Sequence, residues 1–180
     1  MNNVKPIIFL FPVIALILTG ILYFFLVKKA TDKKAFNRFV FTIAVIAFLL
    51  NFIWELIQIP FFKSSSYSIE HIAFCALASL ADAIMVLLLY FGFASIFRNP
   101  FWVKNSKWQR IVILILVGGA GATAIEFWHL SSANWAYANT MTIIPVINVG
   151  ISAVLQFMIL PVIVYFLSLY YLKIIKKNNR

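Results

Sequence analysis

The sequence predicts an all-α fold, a polytopic membrane helical bundle of five transmembrane helices with its N-terminus outside and its C-terminus cytoplasmic. Three observations predict it. The first is composition: of 180 residues, 64% are hydrophobic and 11% charged, and the mean hydropathy is +0.99. A soluble domain carries about 25% charged and about 45–50% apolar residues. One this small has too little interior to hide so much apolar surface. The second is length. A helix rises about 1.5 Å per residue, so roughly 20 apolar residues cross a hydrocarbon core of about 30 Å. The third is the placement of basic residues, which fixes the orientation.

Five segments have that length: 7–27, 39–62, 69–97, 111–130 and 149–172. Together they make one integral-membrane domain over residues 1–180. They lack the short alternating pattern of barrel strands, and an open sheet edge cannot face lipid. The first segment follows Lys5, as the core of a signal peptide would. Its apolar run is too long for that, no A-x-A-like site follows, and it stops at Lys28 and Lys29. It therefore reads as a retained span. Pro60 marks a helix end and Pro161 a kink. Gly118, Gly119 and Gly121 read as a close-packing surface on the fourth span.

The loop after span 1 holds Lys28, Lys29, Lys33, Lys34 and Arg38. The loop after span 3 holds Arg98, Lys104, Lys107 and Arg110, and the tail holds Lys173, Lys176, Lys177 and Arg180. Only Lys5 and Lys63 fall on the other side. The positive-inside rule makes the first set cytoplasmic, most naturally in a bacterial cytoplasmic membrane. The net charge of +10 thus reports topology and implies no nucleic-acid partner. Trp102 and Trp108 lie among these charges, where interfacial aromatics belong. Residues 99–109 read as a segment lying flat on the inner surface. The lone Cys75 can form no intramolecular disulfide and reads as a buried small hydrophobe.

Ionisable residues inside spans are costly and mark functional sites by default. Four of the five acids, Glu55, Glu70, Asp82 and Glu126, lie in or at the edge of spans. The orientation sets their depth. Glu55 is about 12 Å below Lys63 by helical rise, Glu126 is one turn before the end of span 4, and Glu70 and His71 open span 3. All four fall in the outer half, with Asp82 near the midplane.

Helical phase groups them further. Asn51, Glu55 and Gln58 share one face of span 2, bordered by Trp54. His71, Cys75, Ser79 and Asp82 stack on span 3. Thr123, Glu126 and His129 stack on span 4, and Asn148, Ser152 and Gln156 on span 5. Four apolar cylinders with one polar stripe each are expected to turn those stripes toward a common interior. Span 1 has no stripe and belongs on the periphery. The segment 131–148, uncharged yet aromatic, reads as a flap over the outer mouth, with Trp135 and Tyr137 facing the site. An ordinary interfacial anchor is the alternative.

Glu55, Glu126, Asp82 and His129 are the expected catalytic groups. Asn51, Trp54, Gln58, His71, Trp128, Trp135, Tyr137, Asn148 and Gln156 are the expected ligand-binding set. Carboxyls in an apolar site can serve as general acid and base toward an alkene, epoxide or carbonyl. Aromatic walls from Trp54, Trp128, Trp135 and Tyr137 stabilise a cationic centre. The E-x-x-H at 126–129 occurs once, not as the repeated pair of a di-iron bundle, so no metal is expected. No P-loop, dinucleotide fingerprint or nucleophile elbow is present, so no cofactor is expected.

"NFIWEL" at 51–56, through Asn51, Trp54 and Glu55, resembles the N-x-x-W-E element of the small integral-membrane terpene cyclases of meroterpenoid biosynthesis. The resemblance implies that Glu55 takes part in protonating an epoxide. That family's second acid is an Asp in a late span. Span 5 here has none, so Glu126 or Asp82 would stand in its place. The family also has more spans than the five read here. The expected function is acid–base isomerisation or cyclisation of a lipophilic substrate. The alternatives are a non-catalytic lipid- or partner-binding subunit and a small proton- or cation-coupled transporter. Expected partners are membrane lipids and a lipophilic small molecule, and the chain could join a homo- or hetero-oligomer.

Overall fold

Five apolar runs separated by short polar breaks produce five helices in the computed structural model, which describes residues 9–63 and 65–178. They are α1 (Leu10–Lys29), α2 (Lys33–Gln58), α3 (Ile69–Ile96), α4 (Trp108–Ser131) and α5 (Ile151–Asn178). Each is long and apolar enough to cross a membrane. The expected spans match these helices to within a few residues, except at the start of α2 and the end of α5, and residues 7 and 8 of the first expected span lie outside the described residues. Helix α2 begins at Lys33 because the Asp32 carboxylate caps it, accepting from the Ala35 N–H at 2.9 Å. Lys33, Lys34 and Arg38 are therefore helical rather than loop residues. Ser68 caps α3 in the same way through the His71 N–H.

Pro60 does end the second helix, which tightens into a 3-10 turn over Ile59–Phe61. Pro161 lies inside α5, which continues through it. Residues 149–150 are not helical as expected. They form strand β2 (Val149–Gly150), paired antiparallel with β1 (Ile143–Ile144) in a small hairpin.

Packing runs from neighbour to neighbour: α1 on α3, α3 on α2, α2 on α5, and α5 on α4. Many side chains of α1 are exposed along its length, as its lack of a polar stripe predicts. Between α4 and α5 the backbones approach closely. A Cβ on Gly118 would sit 2.2 Å from the Phe157 carbonyl oxygen, and one on Gly119 would meet the Met158 side chain at 2.9 Å. Gly121 departs from the expected surface, because a Cβ there would meet nothing within 4 Å.

The bundle has two unlike ends. At one, the apolar core gathers Phe36, Phe39, Tyr90, Phe91, Trp102 and Tyr165, all almost fully buried. Here the structure corrects an expectation: residues 99–105 do not lie flat on a surface. Arg98 takes a left-handed conformation (φ 50°) at the end of α3, and the chain folds back beneath the bundle. Trp102 is 1% exposed and stacks on Tyr90 and Phe93, and its Nε1 donates to the Tyr90 carbonyl at 3.2 Å. The Tyr90 hydroxyl donates to the Pro100 carbonyl, and the Tyr165 hydroxyl to the Val86 carbonyl at 2.6 Å. Trp102 is a plug. Trp108, by contrast, is 70% exposed. At the opposite end, residues 132–150 fold across the bundle, and the polar stripes meet beneath them.

Candidate functional site

The polar stripes of α2, α3, α4 and α5 converge on the interior below this flap. Asn51, Gln58, Glu126, His129 and Gln156 are buried, and Glu55 and Asp82 are half-buried. Spacing of three and four residues along each helix is what brings them to one face. Residues 39–62, 69–97, 111–130 and 149–172 contain no lysine or arginine. The carboxyls are thus met by neutral donors.

Gln156 on α5 is the hub. Its amide Nε2 donates to Asn51 Oδ1 at 2.8 Å and to Asp82 Oδ2 at 2.9 Å, joining α5 to α2 and α3. Asn51 Nδ2 in turn donates to the Ala47 carbonyl of its own helix at 2.8 Å. One turn along α2, Gln58 Nε2 donates to Glu55 Oε1 at 2.8 Å, and Gln58 Oε1 accepts from the Ser152 hydroxyl at 3.2 Å. Glu55 and Glu126 lie within electrostatic range of each other and of Asp82. Glu55 and Asp82 thus share the Gln156 amide, and Glu126 stands within electrostatic range of both from a third helix.

Glu126 belongs to the flap. Its Oε2 accepts from Trp135 Nε1 at 3.3 Å and from the Tyr137 hydroxyl. Burial first, and then the adjacent Glu126 carboxyl, push the Tyr137 hydroxyl above the usual phenol range, so it remains a donor. His129, one turn beyond Glu126, stacks on Trp135 with centroids 3.9 Å apart, and its Nδ1 pairs with Asn134 Nδ2 at 2.9 Å. Trp128 meets Phe11 of α1 edge-on at 4.7 Å.

The flap is fastened to the end of α2. The Lys63 N–H donates to the Ala136 carbonyl at 2.8 Å, the Ala138 N–H to Phe61 at 2.9 Å, and the Thr140 hydroxyl to Pro60 at 2.7 Å. The Phe62 ring packs against both Trp135 and Tyr137. Met141 is buried against Gly150, where a Cβ would come within 2.8 Å of the Met141 sulfur and 3.0 Å of the Tyr137 ring. Tyr137→Phe keeps that ring packing and deletes one donor to Glu126. We expect a loss of about 1 kcal/mol of local stability. Hydrogen exchange should read it as faster exchange confined to amides 133–142, with unchanged protection in α3.

Three expected members stand apart. Asn148 is exposed and sits in the hairpin turn in a left-handed conformation (φ 53°), which Asn tolerates better than most residues. The helix it was expected to extend begins only at Ile151. His71 is half-buried in the first turn of α3 with its ring against Phe74, and shares no hydrogen bond with the cluster among the described residues. Glu70 beside it is exposed, so neither joins Glu55 and Glu126 at their depth. Thr123 and Ser79 face inward but bond back to their own helices, at the Gly119 and Cys75 carbonyls.

Trp54 is half-buried beside Glu55, and its Nε1 is a buried donor with no partner among the described residues. Among those residues no three metal-ligating side chains form a group that could hold an ion. Sequence reasoning did not single out Asn134, which follows α4 and holds His129. Its signal was only that of a turn-forming residue. Comparison with family models, with characterised proteins and with solved structures finds no match for this chain.

Proposed function

We propose that this is a multi-pass membrane enzyme whose Glu55 and Asp82 carry out acid–base isomerisation or cyclisation of a lipophilic substrate beneath a flap held by Glu126. The observation that carries the reading is the approach of these three carboxyls, from three helices, with only neutral side chains as their hydrogen-bond donors. Such an arrangement is expensive to keep in a membrane unless it is used.

In the proposed step, Glu55 gives its proton to an alkene carbon or an epoxide oxygen. The resulting cation sits against the aromatic rings of Trp54, Trp128, Trp135 and Tyr137. Asp82, as carboxylate, removes a proton from a neighbouring carbon, so the product is an isomer of the substrate. The proton then returns from Asp82 to Glu55 for the next cycle. Gln156, Gln58 and Asn51 orient the carboxyls, and His129 and Glu126 hold the flap closed while water is excluded. The resemblance at Asn51, Trp54 and Glu55 points to the same acid. The distribution of basic residues supports an orientation with the cluster in the outer half of the bilayer and the Trp102 plug on the cytoplasmic side, as in a bacterial cytoplasmic membrane.

A second reading, a lipid- or partner-binding subunit without turnover, is favoured by one observation: each carboxyl already accepts from a side chain of this chain. A transporter fits less well, because between Asp82 and the opposite end the interior is packed with the large buried side chains of Val86, Tyr90, Val164 and Tyr165.

To test the proposal, purified protein in lipid nanodiscs is assayed for a co-purified lipophile, which is then added back to fresh protein. We expect a product of identical mass and different retention with the wild type and at least a hundredfold less, on the order expected for a lost general acid, with Glu55→Gln. Equal conversion by Glu55→Gln would remove Glu55 from the chemistry.

A further inference from the structure

We propose that the space between α1, α3 and α4 is a lateral entrance, through which a single-chain amphiphile with an uncharged oxygen head group reaches Asp82 from the bilayer. This rests on the reading of the cluster as a site for a lipophilic molecule, and adds the route and the chemical class.

Both ends of the bundle are closed. The flap is pinned to residues 60–63 and to Glu126 at one end, and Trp102 fills the other. The side is less closed. The main packing partner of α4 is α5, and that of α1 is α3. Near the flap, α1 and α4 meet through the Phe11–Trp128 edge contact. Gly121 lies two turns from Trp128 on the same face of α4, and there a side chain would meet open space.

Beside this gap an apolar groove of about 100 Å³ runs between α1 and α3, lined by Phe11, Ile14, Ala15, Leu18, Met85 and Leu88. Its lining offers nothing to a polar group and everything to a hydrocarbon chain. Asp82 is half-buried and precedes Met85 by three residues, hence on the same side of α3. A chain lying in the groove thus brings its head group to the carboxyl cluster.

Charge fixes the head group. The four polar spans hold no lysine or arginine to pair with a phosphate or carboxylate, and an anion buried there without a counter-charge is costly. The side chains present offer carboxyl and amide groups, which hydrogen-bond a hydroxyl or carbonyl oxygen.

The test uses the full chain in nanodiscs and a long-chain fatty alcohol carrying a diazirine in its chain. After irradiation, adducts are mapped by peptide mass spectrometry. Adducts at Leu18, Met85 or Leu88 should saturate and should fall severalfold when unlabelled fatty alcohol is added. Those at the exposed Phe24 and Tyr170 should do neither. Ala15→Leu, which fills the groove, should lower the groove adducts alone. Leu18→Ala, which widens it, should keep them. An unfolding midpoint close to wild type in both variants shows that the fold survives, and unchanged adducts at Phe24 and Tyr170 show that labelling from the bilayer is equal.

Groove adducts that do not saturate, or that persist in Ala15→Leu, would overturn the entrance. Competition by an alkyl phosphate equal to that by the alcohol would overturn the head-group assignment. The same labelling in Glu55→Gln separates the two proposals. Saturable labelling without Glu55-dependent conversion leaves the entrance standing and the chemistry refuted. Conversion without groove labelling does the reverse.

Discussion

Replacing Trp102 with alanine should cost about 3–5 kcal/mol, the range for deleting a large buried aromatic. Trp102 is 1% exposed and touches rings from α3 and α5 as well as Phe97 at the end of its own loop. Its removal leaves a cavity where α3, α5 and the 99–105 segment meet, and it frees the Tyr90 carbonyl. Membrane lipid cannot fill that space, because it lies inside the bundle. Trp102→Phe keeps part of the ring packing but loses the Nε1 hydrogen bond and one ring of the indole, so a smaller cost of about 1–3 kcal/mol is expected. Both are measured as the shift in unfolding midpoint of detergent-solubilised protein. Trp108→Ala is the control: that side chain is 70% exposed, and its loss should move the midpoint little. Equal effects of Trp102→Ala and Trp108→Ala would mean that the loop lies on the surface after all.

Gly118→Leu should be the most damaging change on α4. Even the Cβ of a new side chain would fall 2.2 Å from the Phe157 carbonyl oxygen. That neighbour is helix backbone and cannot rotate aside, so α4 must move away from α5. Overpacking of this kind costs about 1–3 kcal/mol and occasionally more. The displacement has a second consequence. Glu126 lies two turns further along the same helix, and its contacts to Trp135 and Tyr137 depend on where α4 sits. The flap should therefore loosen with the bundle. Gly121→Leu, three residues on, points into open space and should leave the unfolding midpoint within about 0.5 kcal/mol of wild type. The pair isolates position from residue type. Similar behaviour of the two variants would contradict the close α4–α5 contact.

The spans were legible because length and hydropathy act over whole segments and tolerate local error. The convergence of Asn51, Glu55, Gln58, Asp82, Glu126 and Gln156 was legible for a similar reason, since a helix with a single polar stripe has one economical orientation. Helical phase carried no warning where the helix was not there. Asn148 has the correct spacing to Ser152, yet Val149 and Gly150 pair as a strand and put it in a turn. His71 and Glu70 have the right depth but lie in the first turn of α3, where the bundle has little left to enclose them.

Trp102 was misread because a tryptophan among lysines looks the same whether it anchors in lipid headgroups or folds underneath the helices. Only the left-handed turn at Arg98 decides between them, and no residue type there announces it. That Trp135 and Tyr137 face the polar stripes was legible from their place in an uncharged aromatic loop. Their donation to one oxygen of Glu126 depends on the pairing of Phe62 with Tyr137, a long-range contact that local pattern does not encode.

The central claim is that the clustered carboxyls act on a lipophilic molecule, and the most direct measurement is made in cells. Total lipid extracts are compared from cells making the wild type, Glu55→Gln, Asp82→Asn or Glu126→Gln, at matched levels of folded protein. In the wild type one neutral lipid species should be replaced by an isomer of the same mass, and each of the three substitutions should restore the unconverted species. Four extracts with the same lipid profile, in cells whose membranes contain the folded protein, would contradict the claim.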